Sequence, residues 1–321
     1  MSFSSEVKKE LTCVPYGARH CMLAELAAMV LMGGYFKYEN HKFELEFHTE
    51  NAAIARKYFT IIKKAFNINT EIVLKTSKKV HKKQTYILVT KESEEAEKIL
   101  KATTLLRHEN DKLILRDIIE HDLIKSTCCK RAYLRGAFLG AGSVSDPEKG
   151  YHLEYVNRNE SHAHFLQEIM TTMDMDPKIV MRKGNYVLYI KEGTRIVDLL
   201  NIMGAHNALM ELENVRIVKE VRNNVNRIVN CETANLKKTV SAAIKQVEDI
   251  EYIQATIGIA ALPENLQQVA LFRLENPDSS LKELGQLLNP PVGKSGVNHR
   301  LKKISEIADE LREKKGPIKT T

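Results

Sequence analysis

The order of predicted elements repeats once within residues 1–208, and this duplication is the strongest constraint on the fold. An apolar helix over His20–Leu31 stops at Gly33 and Gly34, and a second over Lys130–Leu139 stops at Gly140-Ala141-Gly142. Each helix is followed by strand, helix, strand-pair and helix patterns. We therefore expect two copies of one α+β unit, with helices packed over antiparallel sheets.

The two copies span about residues 1–105 and 126–208. One-sided apolar spacing predicts the helices, and alternation of apolar and polar residues predicts the strands. Further elements are predicted at Phe3–Leu11 (a helix capped by Ser4 or Ser5), Phe43–His48, Ala52–Ala65, Ile72–Leu74, Thr85–Val89, Glu92–Lys101, His152–Val156, His162–Met173, Ile179–Met181, Tyr186–Ile190 and Thr194–Met203.

The remaining sequence divides into a polar segment and a helical C-terminal part. Residues 209–255 are rich in Asn, Arg and Lys, which predicts a polar helical linker of two helices or an extended segment. Residues 256–321 have only helical patterns. We expect them to form an all-α domain.

Start and stop signals place three helices in this domain. Pro263 begins a helix over Glu264–Glu275, and Ser280 with Glu283 forms a capping box for a helix over Leu281–Leu288. A turn over residues 289–293 follows, and Ser295 is expected to cap a third helix over residues 296–313. Two short helices, a tight turn and a basic helix predict a helix-turn-helix.

The third helix has a basic face opposite its apolar stripe of Val297, Leu301 and Ile304. Asn and Arg side chains read base edges in the major groove, whereas Lys and Ser side chains bind phosphate. The alternative is a solvated face of an ordinary three-helix unit. The residues that we expect to contact double-stranded DNA are Lys294, Ser295, Asn298, His299, Arg300, Lys302 and Lys303.

Two other polar segments are weaker candidates for DNA contact. Arg222, Asn226 and Arg227 lie in a dense polar stretch, for which interdomain hydrogen bonding and phosphate contact are equally good explanations. The Lys-rich segment Lys75–Lys83 joins two predicted strands, and a solvated hairpin tip is the commoner case for such a segment.

The duplicated part resembles the LAGLIDADG homing endonucleases. Leu26–Gly34 and Leu134–Gly142 match the paired helical motif, and small residues such as Ala28 and Gly136 remain for close helix packing. In active members of that family each helix ends in an acid that holds a divalent metal for phosphodiester cleavage. Gly33 and Ala141 stand at those positions here, so the resemblance implies a degenerate domain without catalytic residues or a metal site.

Longer phrases resemble the WhiA family of bacterial sporulation and cell-division regulators. They are Ser4–Leu11, Arg131–Leu139, Gly142–Pro147, His152–Glu154 and Arg222–Asn235. The resemblance covers nearly the whole chain. It implies a DNA-binding regulator of transcription, cell division or chromosome segregation in a Gram-positive bacterium, cytoplasmic and associated with the nucleoid, with other regulators or RNA polymerase as secondary candidate partners.

The composition argues against several other classes of protein. The net charge of +7 favours a polyanionic partner, and no nucleotide-binding glycine motif is present, so no cofactor is expected. Five cysteines without a C-x-x-C pair predict reduced thiols rather than a disulfide framework or a zinc site. The apolar stretch Cys21–Phe36 is shorter than the ~20 residues of a membrane span and contains Glu25, and no signal peptide is evident.

Two alternative functions remain open at this stage. One is an active metal-dependent LAGLIDADG endonuclease, which Gly33 and Ala141 disfavour because neither side chain offers an oxygen to a metal. The other is a scaffold whose former DNA groove binds a protein partner. We expect a non-catalytic DNA-binding regulator.

Overall fold

The structure is a computed structural model that describes residues 2–39, 42–76, 84–109 and 112–315. It divides into two compact units, Met1–Glu220 (unit 1) and Val221–Thr321 (unit 2). The predicted Lys-rich tip lies outside the described residues except for Lys75 and Thr76, which end a strand.

Unit 1 contains two repeats with the same element order. The first repeat comprises α2 (Arg19–Gly33), β1 (Gly34–Glu39), β2 (Lys42–Thr49), α3 (Ala52–Phe66), β3 (Glu71–Thr76), β4 (Gln84–Thr90) and α4 (Ser93–Ala102). The second comprises α5 (Thr127–Ala141), β7 (Gly142–Val144), β8 (Leu153–Asn157), α6 (Glu160–Thr171), β9 (Lys178–Arg182), β10 (Asn185–Ile190) and α7 (Gly193–Met203). Helix α1 (Phe3–Cys13) precedes them, and the hairpin β5 (Leu106–Glu109) and β6 (Lys112–Leu115) lies between them, before a 3-10 turn at His121–Ile124.

The two four-stranded sheets have the same topology. Their strand orders are β1-β2-β4-β3 and β7-β8-β10-β9, and all pairings are antiparallel. The shared order confirms the predicted duplication and the α+β class. Strands β1 and β7 and the β5–β6 hairpin were not predicted.

Strands β1 and β7 begin directly where the long helices end. Gly34 and Gly142 have extended backbone angles, so each glycine leads from helix into strand without a left-handed turn. The expectation that the glycines stop the helices is confirmed, and a strand follows each helix without an intervening loop.

Helices α2 and α5 pack against each other at unusually short range. A Cβ atom built on Gly136 would lie 2.2 Å from the Glu25 carbonyl oxygen, and one built on Gly140 would lie 2.6 Å from the Met32 Cβ. Only a residue without a side chain fits at these two points. The predicted role of the small residues in close helix packing is therefore confirmed.

One hydrophobic core runs through both repeats and includes α1. Phe3, Val7 and Leu11 of α1 are buried in it, one turn apart along the helix. The N-cap of α1 is Ser2, whose side chain accepts a hydrogen bond of 3.3 Å from the Ser5 amide. The expected cap at Ser4 or Ser5 is wrong, because both residues already lie within the helix.

An ion network is buried where α2, α3 and α5 meet. Glu25 lies 2.8 Å from an Arg135 nitrogen and 3.2 Å from the Lys57 amine, and Lys57 also donates to the carbonyls of Leu11 and Val14. Glu25 and Lys57 are 3% and 2% exposed. Burial lowers the pKa of Lys57, while the neighbouring Glu25 opposes that shift.

Unit 2 begins within a single long helix. Helix α8 runs from His206 to Thr256 without a break, 51 residues in all. Residues 209–255 are helical as predicted, but they belong to one helix, so the expectation of two helices or an extended segment is wrong. In the described part of the chain, no helix has the length and apolarity needed to cross a membrane.

Candidate nucleic-acid interface

Three helices form the core of unit 2 with the end of α8. They are α9 (Glu264–Glu275), α10 (Leu281–Leu287) and α11 (Lys294–Lys315). The predicted apolar stripe of α11 is buried, whereas Leu287 of α10 is 47% exposed and lies outside the core of unit 2. The buried residues are Ile250, Ile253, Leu262, Leu266, Val269, Ala270, Leu284, Leu288, Val297, Leu301, Ile304 and Ala308.

The predicted capping box at the start of α10 is confirmed. The Ser280 hydroxyl accepts from the Glu283 amide, and the Glu283 carboxylate accepts from the Ser280 amide at 2.7 Å. The hydrogen bond from the Ser280 amide lowers the pKa of Glu283, because it stabilises the ionised carboxylate. This cap sets the point at which α10 begins.

A tight turn fixes α11 relative to α10. The Val292 amide donates to the Gly285 carbonyl at 2.9 Å, and a Cβ on Gly285 would lie 2.0 Å from the Val292 carbonyl oxygen. Position 285 therefore has to be glycine for the turn to approach α10 so closely.

Two arginines connect the helices of unit 2 through hydrogen bonds and an ion pair. The buried Arg273 guanidinium donates to the carbonyls of Pro277 and Ser279, which fixes the connection between α9 and α10. Arg312 near the end of α11 contacts the buried Asp249 of α8 at 2.7 Å. The first set of bonds fixes the approach to α10, and the second joins the end of α11 to α8.

The exposed side of α11 bears most of the predicted DNA-contacting residues. The helix begins at Lys294, so Ser295 lies inside its first turn and does not precede it as a cap, contrary to expectation. The exposed members of the predicted set are Lys294, Ser295, Asn298, His299, Lys302 and Lys303.

Asn298 and Arg300 lie on opposite edges of this exposed side. At about 100° per residue, two positions along a helix are separated by roughly 200° around its axis. Arg300 is half-buried and donates to the Asn265 carbonyl of α9 at 3.4 Å. Asn298 instead lines a cavity of about 650 Å³ between α11, the α9–α10 connection and α8, which Lys294 and Lys238 also line.

The second group of candidate residues lies on α8. Arg222, Asn226 and Arg227 are all exposed, and Arg222 and Asn226 are one helical turn apart. Within the described ranges, their side chains make no hydrogen bond to another element. This arrangement leaves their polar groups available to an external partner.

At the carboxyl ends of α2 and α5, the structure places Gly33 and Ala141 beside a cavity of about 390 Å³. Its lining offers no carboxylate among the described residues: Met32, Gly33, Tyr35, His48, Gly140, Ala141, Val156, Arg158 and Asn185. A Cβ on Gly33 would lie 2.8 Å from the ring of Phe47. The space that an acid at position 33 would need is thus occupied by a buried ring.

The outer faces of both sheets carry a glutamate on a central strand. Glu46 of β2 bonds to Lys37 and His48, and Glu154 of β8 bonds to Ser143 and lies 3.0 Å from His152. Lys37 lowers the pKa of Glu46 most, by hydrogen bonding to its carboxylate. On the described residues these faces combine acidic and basic groups, so DNA phosphates would meet carboxylates there as well as cations.

One cluster was missed by the sequence analysis. His20 and Cys21 of α2 meet Cys128 and Cys129 of α5, with their four donor atoms within 4.8 Å of one another. All five cysteines are free thiols. The pKa of Cys21 is raised to about 12. Burial of the thiol is the larger cause, and contact with the Cys128 and Cys129 thiols adds to it. The signal available in the sequence was that both residue pairs occupy the same positions in the two apolar helices.

Family models match most of the chain. The WhiA N-terminal LAGLIDADG-like domain matches residues 19–106, the WhiA LAGLIDADG-like domain matches residues 130–222, and the WhiA C-terminal HTH domain matches residues 225–308. The three models follow the two repeats and the helical C-terminal part in order.

Whole-chain relatives and a solved structure agree with these matches. A probable cell division protein WhiA of Alkaliphilus metalliredigens is 50% identical over 98% of this chain and 99% of its own length. One from Clostridium botulinum is 49% identical with the same coverage. The crystal structure of full-length DUF199/WhiA from Thermatoga maritima has a TM-score of 0.61 at 28% identity, covering 97% of this chain and 99% of its own.

Proposed function

The chain belongs to the WhiA family, and we propose that it is a DNA-binding transcriptional regulator in sporulation, cell division and chromosome segregation. The observation that carries the proposal is the exposed basic side of α11, which lies within the matched HTH domain. Relatives named probable cell division proteins support the cellular role. The protein acts in the cytoplasm at the nucleoid, with other regulators or RNA polymerase as further partners.

The contacts to DNA divide by position on α11. Asn298 lies in the first turns of the helix, where side chains meet base edges in the major groove. Lys302 and Lys303 lie further along, where phosphate is the closer target. Arg300 keeps free N–H donors besides the one bonded to Asn265, and its position on the far edge favours phosphate over a base.

The protein does not cleave DNA. The absence of a carboxylate in the described lining of the cavity beside Gly33 and Ala141 supports this part of the proposal, because hard divalent cations need oxygen ligands. The mixed charge of the sheet faces supports α11 as the main DNA contact. Arg222, Asn226 and Arg227 add phosphate contacts from α8.

Binding of full-length variants to DNA tests the assignment. We expect Lys302→Ala with Lys303→Ala to weaken binding to selected and random duplexes alike, and to reduce the slope of log affinity against log salt by about two units. Asn298→Ala should instead reduce the difference in binding free energy between selected and random duplexes by about 1–3 kcal/mol. The matched control is Lys98→Ala with Lys64→Ala, which removes two positive charges from helices of unit 1.

The duplexes are selected from random sequences with the wild-type protein, and circular dichroism checks that each variant is folded. Unchanged affinity and salt slope in the double Lys variant would exclude α11 as the DNA contact. An equal loss in the control variant would assign binding to general positive charge.

Supercoiled plasmid tests the non-catalytic part. We expect no nicking with Mg²⁺ or Mn²⁺ by the wild-type protein. Nicking that is abolished by Ala141→Lys, which places a positive charge at the cavity, would identify an active endonuclease. Nicking that persists unchanged in that variant comes from a contaminant.

A further inference from the structure

A cluster of metal-ligating side chains lies at the amino ends of α2 and α5, opposite the ends that hold metal in the endonucleases. His20 and Cys21 are the second and third residues of α2, and Cys128 and Cys129 are the second and third residues of α5. The cluster thus takes equivalent residues from both repeats and lies where the two helices begin.

The spacing of the donor atoms fits tetrahedral zinc. The His20 Nδ1 lies 3.0 Å from the Cys129 sulfur and 3.4 Å from the Cys21 sulfur, and all four donor atoms lie within 4.8 Å of one another. Zn–S bonds of about 2.3 Å and Zn–N bonds of about 2.0 Å place tetrahedral ligands roughly 3.5–3.8 Å apart. Side-chain adjustments of less than about 1 Å would produce this geometry.

The accessibility of the cluster also suits a bound ion. Cys21 and Cys129 are 8% and 3% exposed and are fixed by the surrounding core, whereas His20 and Cys128 are exposed. The two buried ligands are therefore preorganised, and the two exposed ligands can close over an ion that enters from solvent.

The helix ends favour the charge that a filled site would have. Three thiolates and one neutral imidazole around a divalent cation give a net charge of about −1. The amino end of each helix carries a partial positive charge, and here two such ends converge. The two helix ends therefore stabilise a filled site with a net negative charge, whereas they would destabilise a site with a net positive charge.

We propose that His20, Cys21, Cys128 and Cys129 bind one zinc ion, which joins the amino ends of α2 and α5. Binding exchanges three thiol protons for the ion and involves no change of oxidation state. The four protein ligands fill the coordination sphere, so the ion is structural and has no open position for a substrate. It ties one repeat to the other at the end of the helix pair remote from Gly33 and Ala141.

Metal content of the full-length protein tests the proposal. The protein is purified under reducing conditions, and its zinc is measured after dialysis and after addition of Zn²⁺ to chelator-treated protein. We expect one zinc per chain and a higher melting temperature with Zn²⁺ than without it. Replacement of zinc by Co²⁺ should give the absorption of a tetrahedral thiolate site.

Single substitutions assign the ligands. Cys128→Ser and His20→Ala change exposed side chains, so both variants should fold, and each should weaken zinc binding by more than about tenfold. Cys13→Ser and Cys231→Ser are the matched controls, because these exposed thiols lie outside the cluster and should leave zinc content unchanged.

Three results would overturn the proposal. The first is that the wild-type protein with Co²⁺ shows no absorption of a tetrahedral thiolate site. The second is that Cys128→Ser has the same zinc content as the control variants. The third is an intact mass that shows a disulfide within the cluster under the same reducing conditions, with no uptake of Zn²⁺. That result would assign the cluster to thiol oxidation.

Discussion

Equivalent positions in the two repeats of unit 1 hold side chains of opposite chemistry. The seventh residue of α2 is Glu25 and that of α5 is Tyr133, while the sixth residue of α3 is Lys57 and that of α6 is Phe165. The first repeat thus buries an ion pair with a separation of 3.2 Å. The second buries an edge-to-face aromatic pair with ring centroids 5.8 Å apart.

The difference shows that the fold specifies volume and contact at these positions but not polarity. A buried ion pair is stabilising only while every partner is present, whereas an aromatic pair depends on area and shape. The two repeats should therefore respond differently to equivalent changes.

Glu25→Gln should have the largest effect. It leaves Lys57 and Arg135 buried without a counter-charge, which we expect to lower the free energy of unfolding by about 4 kcal/mol. Urea denaturation measures the change, and Glu71→Gln, which removes an exposed partner of Lys91, should leave it unchanged. A loss no larger than in that control would mean that water or local rearrangement compensates the two cations.

Gly136→Ala should lower the free energy of unfolding by about 3 kcal/mol. The added Cβ would lie 2.2 Å from the backbone oxygen of Glu25, which cannot move without the rest of α2. The equivalent residue of α2 is Ala28, where Ala28→Gly should cost only about 1 kcal/mol through helix propensity. The same denaturation experiment compares both, with Gly293→Ala as a control that meets nothing within 4 Å. Equal effects at positions 136 and 28 would contradict the asymmetry of the helix contact.

His162 should make the second repeat sensitive to acid. The residue is 3% exposed, its Nε2 lies 2.8 Å from the Tyr133 hydroxyl, and burial lowers its pKa to about 4. Below about pH 6.5 the unfolded chain takes up a proton that the folded protein does not, so stability falls by about 2 kcal/mol between pH 8 and pH 5. The equivalent residue of α3 is Ile54, which does not titrate.

His162→Gln tests this contribution, since Gln retains an acceptor for Tyr133 but cannot be protonated. Its unfolding free energy should fall less between pH 8 and pH 5 than that of the wild-type protein. Parallel pH profiles for the two proteins would show that other groups determine the acid sensitivity.

Removal of the N-cap side chains of α3 and α6 should have the smallest effect on stability, and the effect should be similar in the two repeats. Asn51 accepts from the Ala53 amide and Asn159 from the Ser161 amide, each at 2.9 Å. Asn51→Ala and Asn159→Ala should each cost about 1 kcal/mol, as measured by thermal unfolding. A difference of more than about 1 kcal/mol between them would extend the asymmetry of the repeats to their helix ends.

Hydrophobic periodicity predicted most helices and strands of both repeats, because one face of each element is buried in the shared core. It did not predict β1 or β7, since both follow a helix directly at a glycine that resembles an ordinary stop signal. It also failed for α8, where the abundant Asn side chains are exposed and do not compete with the helical backbone.

The placement of α11 and its apolar stripe was predictable from capping and spacing, but the partners of its polar residues were not. The contact of Arg300 with Asn265 depends on how α9 packs against α11. Likewise, the histidine and cysteine cluster depends on the packing of helices from two repeats. Spacing rules for metal motifs consider neighbours in one segment, so they dismissed four ligands supplied as two adjacent pairs.

The ion pair between Glu25 and Arg135 determines how the two repeats could associate if they were expressed as separate chains. Arg135 is the ninth residue of α5, and its counterpart in α2 is Ala27. A homodimer of the first repeat would bring two carboxylates to its interface without a guanidinium, and a homodimer of the second would bring two guanidiniums without a carboxylate. Separately expressed halves should therefore pair with each other in preference to their own copies, because only the mixed pair brings Glu25 and Arg135 together.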